Sequence, residues 1–381
     1  MHILVLGNGF DLAHDLKTTY RDFLDYCSKN KMNDKQYFQN LWIQHFINKP
    51  KLGNTWIDLE KEIYDVLTNF LYKDLIFELK NQVKKFELKK STNNFSFYDI
   101  KNYLNNYSHE TVEQTHYKIM KETGVYTESL NVYIENEEGF ANFLYDQLRS
   151  FTKLFEDYLL KEIDKTRKNK YKLSLQSIGA KEGGKDIYVV SFNYTDTCQR
   201  FYTDKVNNFS NIKNFKPIYV HGNATYNDDY KDCKLVLGTK SFNTPENKVK
   251  QYDIPVCFNI FQKHNQRHKY GTIEPYQDFI RALIEISEND KNNIPIFHVI
   301  GHSLDETDHN ILEHIFNVNK KSIINIYYHD ELAQQNLINN ITNIIGENEV
   351  MTRVRFIHQH NESRSILKEL NPTEFNNLSL I

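Results

Sequence analysis

The stretch that decides the fold is Ile3-Leu4-Val5-Leu6-Gly7-Asn8-Gly9-Phe10-Asp11-Leu12. Four apolar residues in a row have the length and composition of a short buried strand. Gly7-Asn8-Gly9 breaks the run. Leu12, Leu16, Tyr20, Phe23, Leu24 and Cys27 then recur at three- and four-residue steps, which predicts a helix over about 10–28. The chain therefore opens with a strand, a glycine turn and a helix. Two glycines let backbone approach a ligand closely, and a helix start offers free N–H groups to a phosphate. Leu12 stands where the third glycine of a dinucleotide fingerprint belongs, so an ordinary dehydrogenase motif is excluded. A plain strand–helix turn explains the glycines equally well.

The same pattern resumes after residue 181. Ile187–Ser191, Pro217–Val220, Leu235–Leu237, Ile294–Ile300, Ser322–Tyr328 and Arg353–Ile357 read as strands. Helices are predicted over about 275–288, 307–318 and 330–345. Strands alternating with helices predict an α/β fold, a Rossmann-like parallel sheet with helices on both faces. Residues 34–180 read differently. Amphipathic segments at 35–48, 56–86 and 139–168 predict a mainly helical insertion, with 93–107 and 124–134 irregular. The predicted organisation is a first βα unit at 1–33, the insertion at 34–180, and the rest of the Rossmann-like domain at 181–381.

Composition sets bounds. The 381 residues hold 47 Lys+Arg against 50 Asp+Glu, so no global basic field exists to hold nucleic acid. Aromatics reach 14%, ample for a large core. The four cysteines, Cys27, Cys198, Cys233 and Cys257, form no C-x-x-C pair, against a zinc knuckle or disulfide framework. No run approaches membrane-spanning length and the first residues do not resemble a signal peptide, so a reduced, cytoplasmic protein is expected.

In a parallel sheet, ligands bind outside the carboxyl ends of the strands. Four polar motifs sit there. The first is Gly7 to Asp11. The second, Ser191-Phe192-Asn193-Tyr194-Thr195-Asp196-Thr197, carries more hydrogen-bonding groups than one helix cap needs. The third is His221-Gly222. A lone histidine is more often structural than catalytic, yet imidazole suits proton transfer near neutral pH, and the glycine clears space beside it. The fourth is Gly301-His302-Ser303-Leu304-Asp305-Glu306-Thr307-Asp308, where capping accounts for Asp305 or Ser303 but not for Gly301-His302. Within the insertion, Asp58 and Glu60 read as a solvated first turn, unless the insertion folds over the cleft.

Taken together, these pieces, with Leu16–Phe23 and Trp56–Glu60, resemble the AbiH family of bacterial abortive-infection proteins. That family in turn is similar to sirtuin-like NAD-binding domains, which carry a glycine loop, an Asn-bearing strand end, a His-Gly pair and a Gly-x-Ser-Leu loop in this order. The resemblance implies that Asn193 orients the nicotinamide ribose or the attacking water and that His221 is the general base. It implies a nucleotide site lined by Gly7, Asn8, Gly9, Phe10, Asp11, Tyr20, Tyr194, Asp196, Gly301, His302, Ser303, Leu304 and Asp308. The four-cysteine zinc module of sirtuin deacylases is absent, so the implied reaction is cleavage of NAD or a related nucleotide as substrate, with no cofactor or metal required. A phage trigger of unknown nature and a homo-oligomer are expected by analogy. Two other readings stay open. One is a nucleotide-sensing module without turnover. The other is a nuclease-type toxin whose Asp11, Glu60, Asp196 and Asp308 hold a metal.

Overall fold

The computed structural model describes residues 1–29, 40–48, 59–70, 86–88, 132–134, 137–165, 171–173, 187–203, 215–226, 232–242, 256–290, 293–359 and 367–370. Six strands form one open sheet: β1 His2–Leu6, β2 Ile187–Ser191, β3 Pro217–Tyr219, β4 Ile296–Ile300, β5 Ile323–Tyr328 and β6 Val354–His358. Their order is β3-β2-β1-β4-β5-β6, and every pairing is parallel. This is the doubly wound order, and the direction in which strands are added reverses between β1 and β4. In β1, Leu6 is level with Ser191 on one side and Ile300 on the other. The glycine loop therefore leaves the sheet at the switch point, between the ends of β2 and β4.

All five residues of β1 are buried, as a central parallel strand requires. Ile3, Val5, Val190, Phe297, Val299, Ile324 and Ile326 form one core. Three helices cover them: α7 Ile273–Asn289, α8 His309–Asn317 and α9 Glu331–Ile345, followed by the short α10 Glu347–Arg353. Asp330 starts α9 by accepting the Ala333 N–H at 2.7 Å.

Helices earlier in the chain build a second core. They are α1 Asn8–Ala13, α2 Tyr20–Lys29, α3 Leu41–Asn48, α4 Leu59–Asp65, α5 Glu137–Lys165 and α6 Lys263–Tyr270. Leu144, Leu148, Phe151, Phe155 and Tyr158 lie along one stripe of α5 and meet Phe23, Trp42 and Phe46. The Trp42 indole donates to the Leu144 carbonyl at 3.1 Å. Phe258 and Phe261, from a 3-10 turn at Val256–Phe261, close this core near the sheet domain.

Several expectations change. The helix expected over 10–28 is two helices. Asp15, at φ 61°, turns the chain, and Thr19 with Asp22 restarts it through a reciprocal cap. The segment Leu235–Leu237 joins no sheet. Its backbone is satisfied elsewhere: Val236 N–H by His221 O, Val236 O by the Tyr194 hydroxyl, and both groups of Leu237 by Gln266. Phe86–Leu88 pairs with Val132–Ile134, and Tyr171–Leu173 with Leu367–Leu370, where helix or irregular chain had been expected at 86 and 132–134. The stretches 35–39, 56–58 and 93–107 lie outside the described residues.

Candidate functional site

The glycine loop is locked to the end of β4. Gly7 N–H donates to Ile300 O at 3.0 Å and Gly9 N–H to Gly301 O at 2.8 Å. A Cβ on Gly7 would stand 2.5 Å from the His302 Cα, and one on Gly9 2.6 Å from the Gly301 Cα. Gly301 itself adopts φ 64° against Phe10 N. The glycines thus allow two backbone loops to interlock. The N–H groups of Gly7 and Gly9 are spent on that contact rather than presented to a ligand. Asn8 is likewise engaged, accepting from the Thr18 hydroxyl at 2.6 Å.

Two polar clusters flank this joint. The larger centres on Asp308, which is 7% exposed. Its Oδ1 lies 3.0 Å from His221 Nε2, 3.0 Å from Lys263 Nζ and 3.2 Å from an Arg267 guanidinium nitrogen. The other oxygen faces His302 Nε2 at 3.8 Å. Lys263 Nζ also reaches Glu60 Oε2 at 2.6 Å, and the Thr307 hydroxyl donates to the same Glu60 oxygen. Tyr194 and Phe192 pack their rings against His221, and Phe192 also meets His302 edge-on. The Tyr20 and Tyr194 hydroxyls are 3.2 Å apart.

Electrostatics here follow from burial. Burial alone would raise the Asp308 carboxyl; Lys263, His221 and Arg267 outweigh it and hold the carboxyl well below its ordinary range. Burial pushes His221 down to about 3 against the pull of Asp308, and His302 down to about 4. Both imidazoles are therefore neutral at physiological pH. His302 Nδ1 accepts the Leu304 N–H at 2.8 Å, which leaves its Nε2 as the protonated nitrogen. Neither nitrogen of His221 makes an aligned hydrogen bond, so its 3.0 Å approach to Asp308 is proximity without full engagement. Burial drives Glu60 up to about 7, against Lys263.

The smaller cluster holds Asp11, Asn193, Thr195 and Thr197. Thr195 donates to Asp11 Oδ2 at 2.6 Å, and Thr197 donates to Thr195 at 3.0 Å. Asn193 and Thr197 also lie within hydrogen-bonding reach of the Asp11 carboxyl, which burial raises to about 6. Asn193 thus sits with Asp11, while its chain neighbours Phe192 and Tyr194 sit with His221. The resemblance had implied an Asn193–His221 pair; each has its own cluster.

Other expected residues lie further out. Ser303 is exposed, and its carbonyl accepts from Asn340. Asp196 pairs with Arg200 at 3.2 Å. Leu304 is buried at φ 57°. Glu60 is not the solvated residue its position suggested, for the insertion delivers it to Lys263. Lys263 and Arg267 were not singled out from the sequence, and Thr307 entered only as a member of the fourth motif. The available signal was Lys263 at the first position of its helix, where the helix dipole disfavours a cation. The carboxylates of a nuclease reading do not gather: Glu60 and Asp308 share Lys263, Asp11 has Thr195, and Asp196 has Arg200. Among the described residues, no three of His, Cys, Asp or Glu are grouped as metal ligands. No helix among them is long and apolar enough to cross a membrane.

An open, doubly wound parallel sheet with polar side chains buried at its carboxyl edge defines the chain as an α/β protein. The family model AbiH, bacteriophage abortive infection AbiH, matches residues 3–329. The chain belongs to this family, which places it in abortive infection against bacteriophage. No curated protein and no solved structure matches the chain.

Proposed function

We propose that the protein is an abortive-infection effector that hydrolyses the N-glycosidic bond of NAD or a related nucleotide. The observation that carries this reading is a neutral His221 held 3.0 Å from an ionised Asp308 at the carboxyl edge of the sheet. A general base must be uncharged to accept a proton, and an adjacent carboxylate stabilises the imidazolium that results. In the reaction, the bond from ribose C1′ to the base nitrogen breaks and the base leaves with the electron pair. The ribose carries the developing positive charge. Water adds to C1′ and gives its proton to His221. Asn193 takes part by holding the ribose from the neighbouring cluster. Motif order, which is similar to that of sirtuin-like hydrolases, supports these roles. Hydrolysis of this kind needs no redox cofactor.

The test is incubation of wild-type and His221→Ala protein with NAD, following nicotinamide and ADP-ribose. The expected result is release by the wild type and a loss of about 10²–10⁴-fold in the variant. Undiminished turnover by a folded His221→Ala protein overturns the assignment.

A second reading, a nucleotide sensor without turnover, is favoured by one observation. Glu60 belongs to the insertion helix α4 yet joins the Asp308 network through Lys263. Occupancy of the site would then be felt directly by the insertion. Tight nucleotide binding with no product would select this reading.

A further inference from the structure

His221 and Asp308 come from different loops, and one buried side chain of the insertion touches the supports of both. After β3 the chain runs beside a second stretch, Cys233–Val236. The Val236 N–H donates to His221 O at 2.9 Å. Gly222, at φ 74°, packs so closely on this stretch that a Cβ there would stand 2.6 Å from the Lys234 carbonyl oxygen. The stretch belongs to no sheet, so its place depends on what holds its remaining carbonyls. The long helix α5 holds them. Arg149, 5% exposed, donates to Leu235 O at 2.9 Å and to Cys233 O. Two turns further along α5, the fully buried Glu156 accepts the Thr225 N–H at 3.2 Å, four residues past His221.

The same guanidinium reaches the support of Asp308. Its central carbon lies 4.4 Å from the centre of the Tyr270 ring. Tyr270 ends α6, on the helix face that carries Lys263 and Arg267 at three- and four-residue steps. Those two cations hold Asp308. Tyr145, one turn before Arg149, meets the Tyr270 hydroxyl at 2.6 Å. Just past α6, Thr272 donates to Val220 O, beside His221, at 3.0 Å. A guanidinium is planar, with forked donors along its edge and a flat face for stacking. Arg149 uses the edge on the His221 side and the face on the α6 side. A lysine keeps the charge but offers neither the fork nor the face.

We propose that Arg149, assisted by Glu156, is a positioning residue that sets His221 against Asp308 from within the insertion. Neither side chain touches Asp308 or the His221 ring; both act through the backbone and through α6. The 3.0 Å approach of His221 to Asp308 lacks an aligned hydrogen bond, so a small shift of either support decides whether the two engage. The insertion is thereby part of the site's framework. The proposal rests on the hydrolase reading only for calling His221 a base.

The test is an NMR titration of the histidine-labelled full chain, wild type against Arg149→Lys, following His221 and His298. Burial is the largest influence on His221, ahead of the charged groups that face it, Asp308, Lys263 and Arg267. Loosening its support admits water and weakens that largest influence. His221 in Arg149→Lys should therefore take up its proton at about tenfold lower proton concentration than in wild type. His298, in the sheet, should titrate as in wild type, which separates a local shift from general loosening. An unchanged His221, or His221 and His298 shifting together, overturns the proposal. Should Arg149→Lys fail to fold, the Glu156 variants carry the test. Glu156→Gln keeps an acceptor for the Thr225 N–H and should leave His221 unchanged, whereas Glu156→Ala should shift it; a shift in both or in neither overturns the proposal. Turnover of NAD by the same proteins gives a second readout: kcat should fall roughly 10–100-fold in Arg149→Lys with KM little changed. A His221 shift in a chain whose wild type cleaves no NAD keeps the positioning role and removes the hydrolase reading. NAD cleavage without a His221 shift does the reverse.

Discussion

Gly301 carries two demands at once. Its φ of 64° is in the left-handed region, and a Cβ there would collide with the backbone of Phe10. Gly346 makes only the first demand: its φ is 86°, but open space surrounds the position of its Cβ. Substitution at the two sites separates strain from collision. Gly346→Ala should cost roughly 1–3 kcal/mol, because φ 86° with ψ 154° is a conformation essentially confined to glycine. Gly301→Ala should cost that and roughly 1–3 kcal/mol more, since one loop must move off the other. Urea midpoints at constant slope measure both. Equal losses at the two sites would mean that the loops separate without cost and are not interlocked. Because Gly7 and Gly9 grip the same joint, Gly301→Ala should also displace His302, and through it the surroundings of Asp308.

Between elements, the decisive contact is made by α4 and α6. Lys263, near the start of α6, stands between Glu60 of α4 and Asp308 ahead of α8. Lys263→Met would leave two carboxylates facing each other with Arg267 alone to neutralise them. Removing one partner of a buried ion pair costs roughly 3–5 kcal/mol. Glu60→Gln should cost only about 1 kcal/mol, because an amide oxygen still accepts from Thr307 and Lys263 keeps Asp308. Chemical denaturation of the two variants gives the order directly; a larger loss for Glu60→Gln would contradict it. The same contact shows where the sequence could be read and where it could not. The strands and the four polar strand ends were legible because apolar runs broken by glycine or polar clusters are local signals. Long-range partners left no such signal. Lys263 and Arg267 belong to no motif, and Glu60 looked solvated because its partners lie far away in the chain. Leu235–Leu237 looked like a strand because an extended apolar run is buried either way. Only the side chains of Tyr194 and Gln266 reveal that no sheet partner is needed. The break between α1 and α2 was legible in principle, in Thr19-x-x-Asp22, but the apolar periodicity runs straight through it.

At the scale of the whole molecule, burial of titratable groups sets the response to pH. His2, His298 and Tyr327 form a line across the sheet, with His2 Nδ1 and His298 Nε2 3.0 Å apart and His298 Nδ1 3.0 Å from the Tyr327 hydroxyl. Burial, reinforced by His2, lowers His298 to about 3. His221 and His302 are lowered as well, to about 3 and about 4. A histidine whose folded pKa lies below its unfolded value contributes stability that is present above about 6.5 and lost as pH falls towards the folded value. Asp11 and Glu60 act in the opposite sense. Burial raises them to about 6 and about 7, so the fold is relieved as pH falls and they take up protons. The two effects oppose each other between about 7 and 4, so the acid-side loss is shallower than the histidines alone would give. His298 lies in the sheet, away from Asp308, and isolates one side of the balance. His298→Gln keeps an amide in place of the imidazole but cannot titrate. By pH 4 the wild-type His298 should have forfeited on the order of 3 kcal/mol, a loss absent from the variant. Melting temperatures from pH 7 to pH 4 should therefore fall less steeply in His298→Gln than in wild type, even where the variant starts lower. Parallel curves would show that His298 titrates alike in the folded and unfolded protein, and that burial does not hold it neutral.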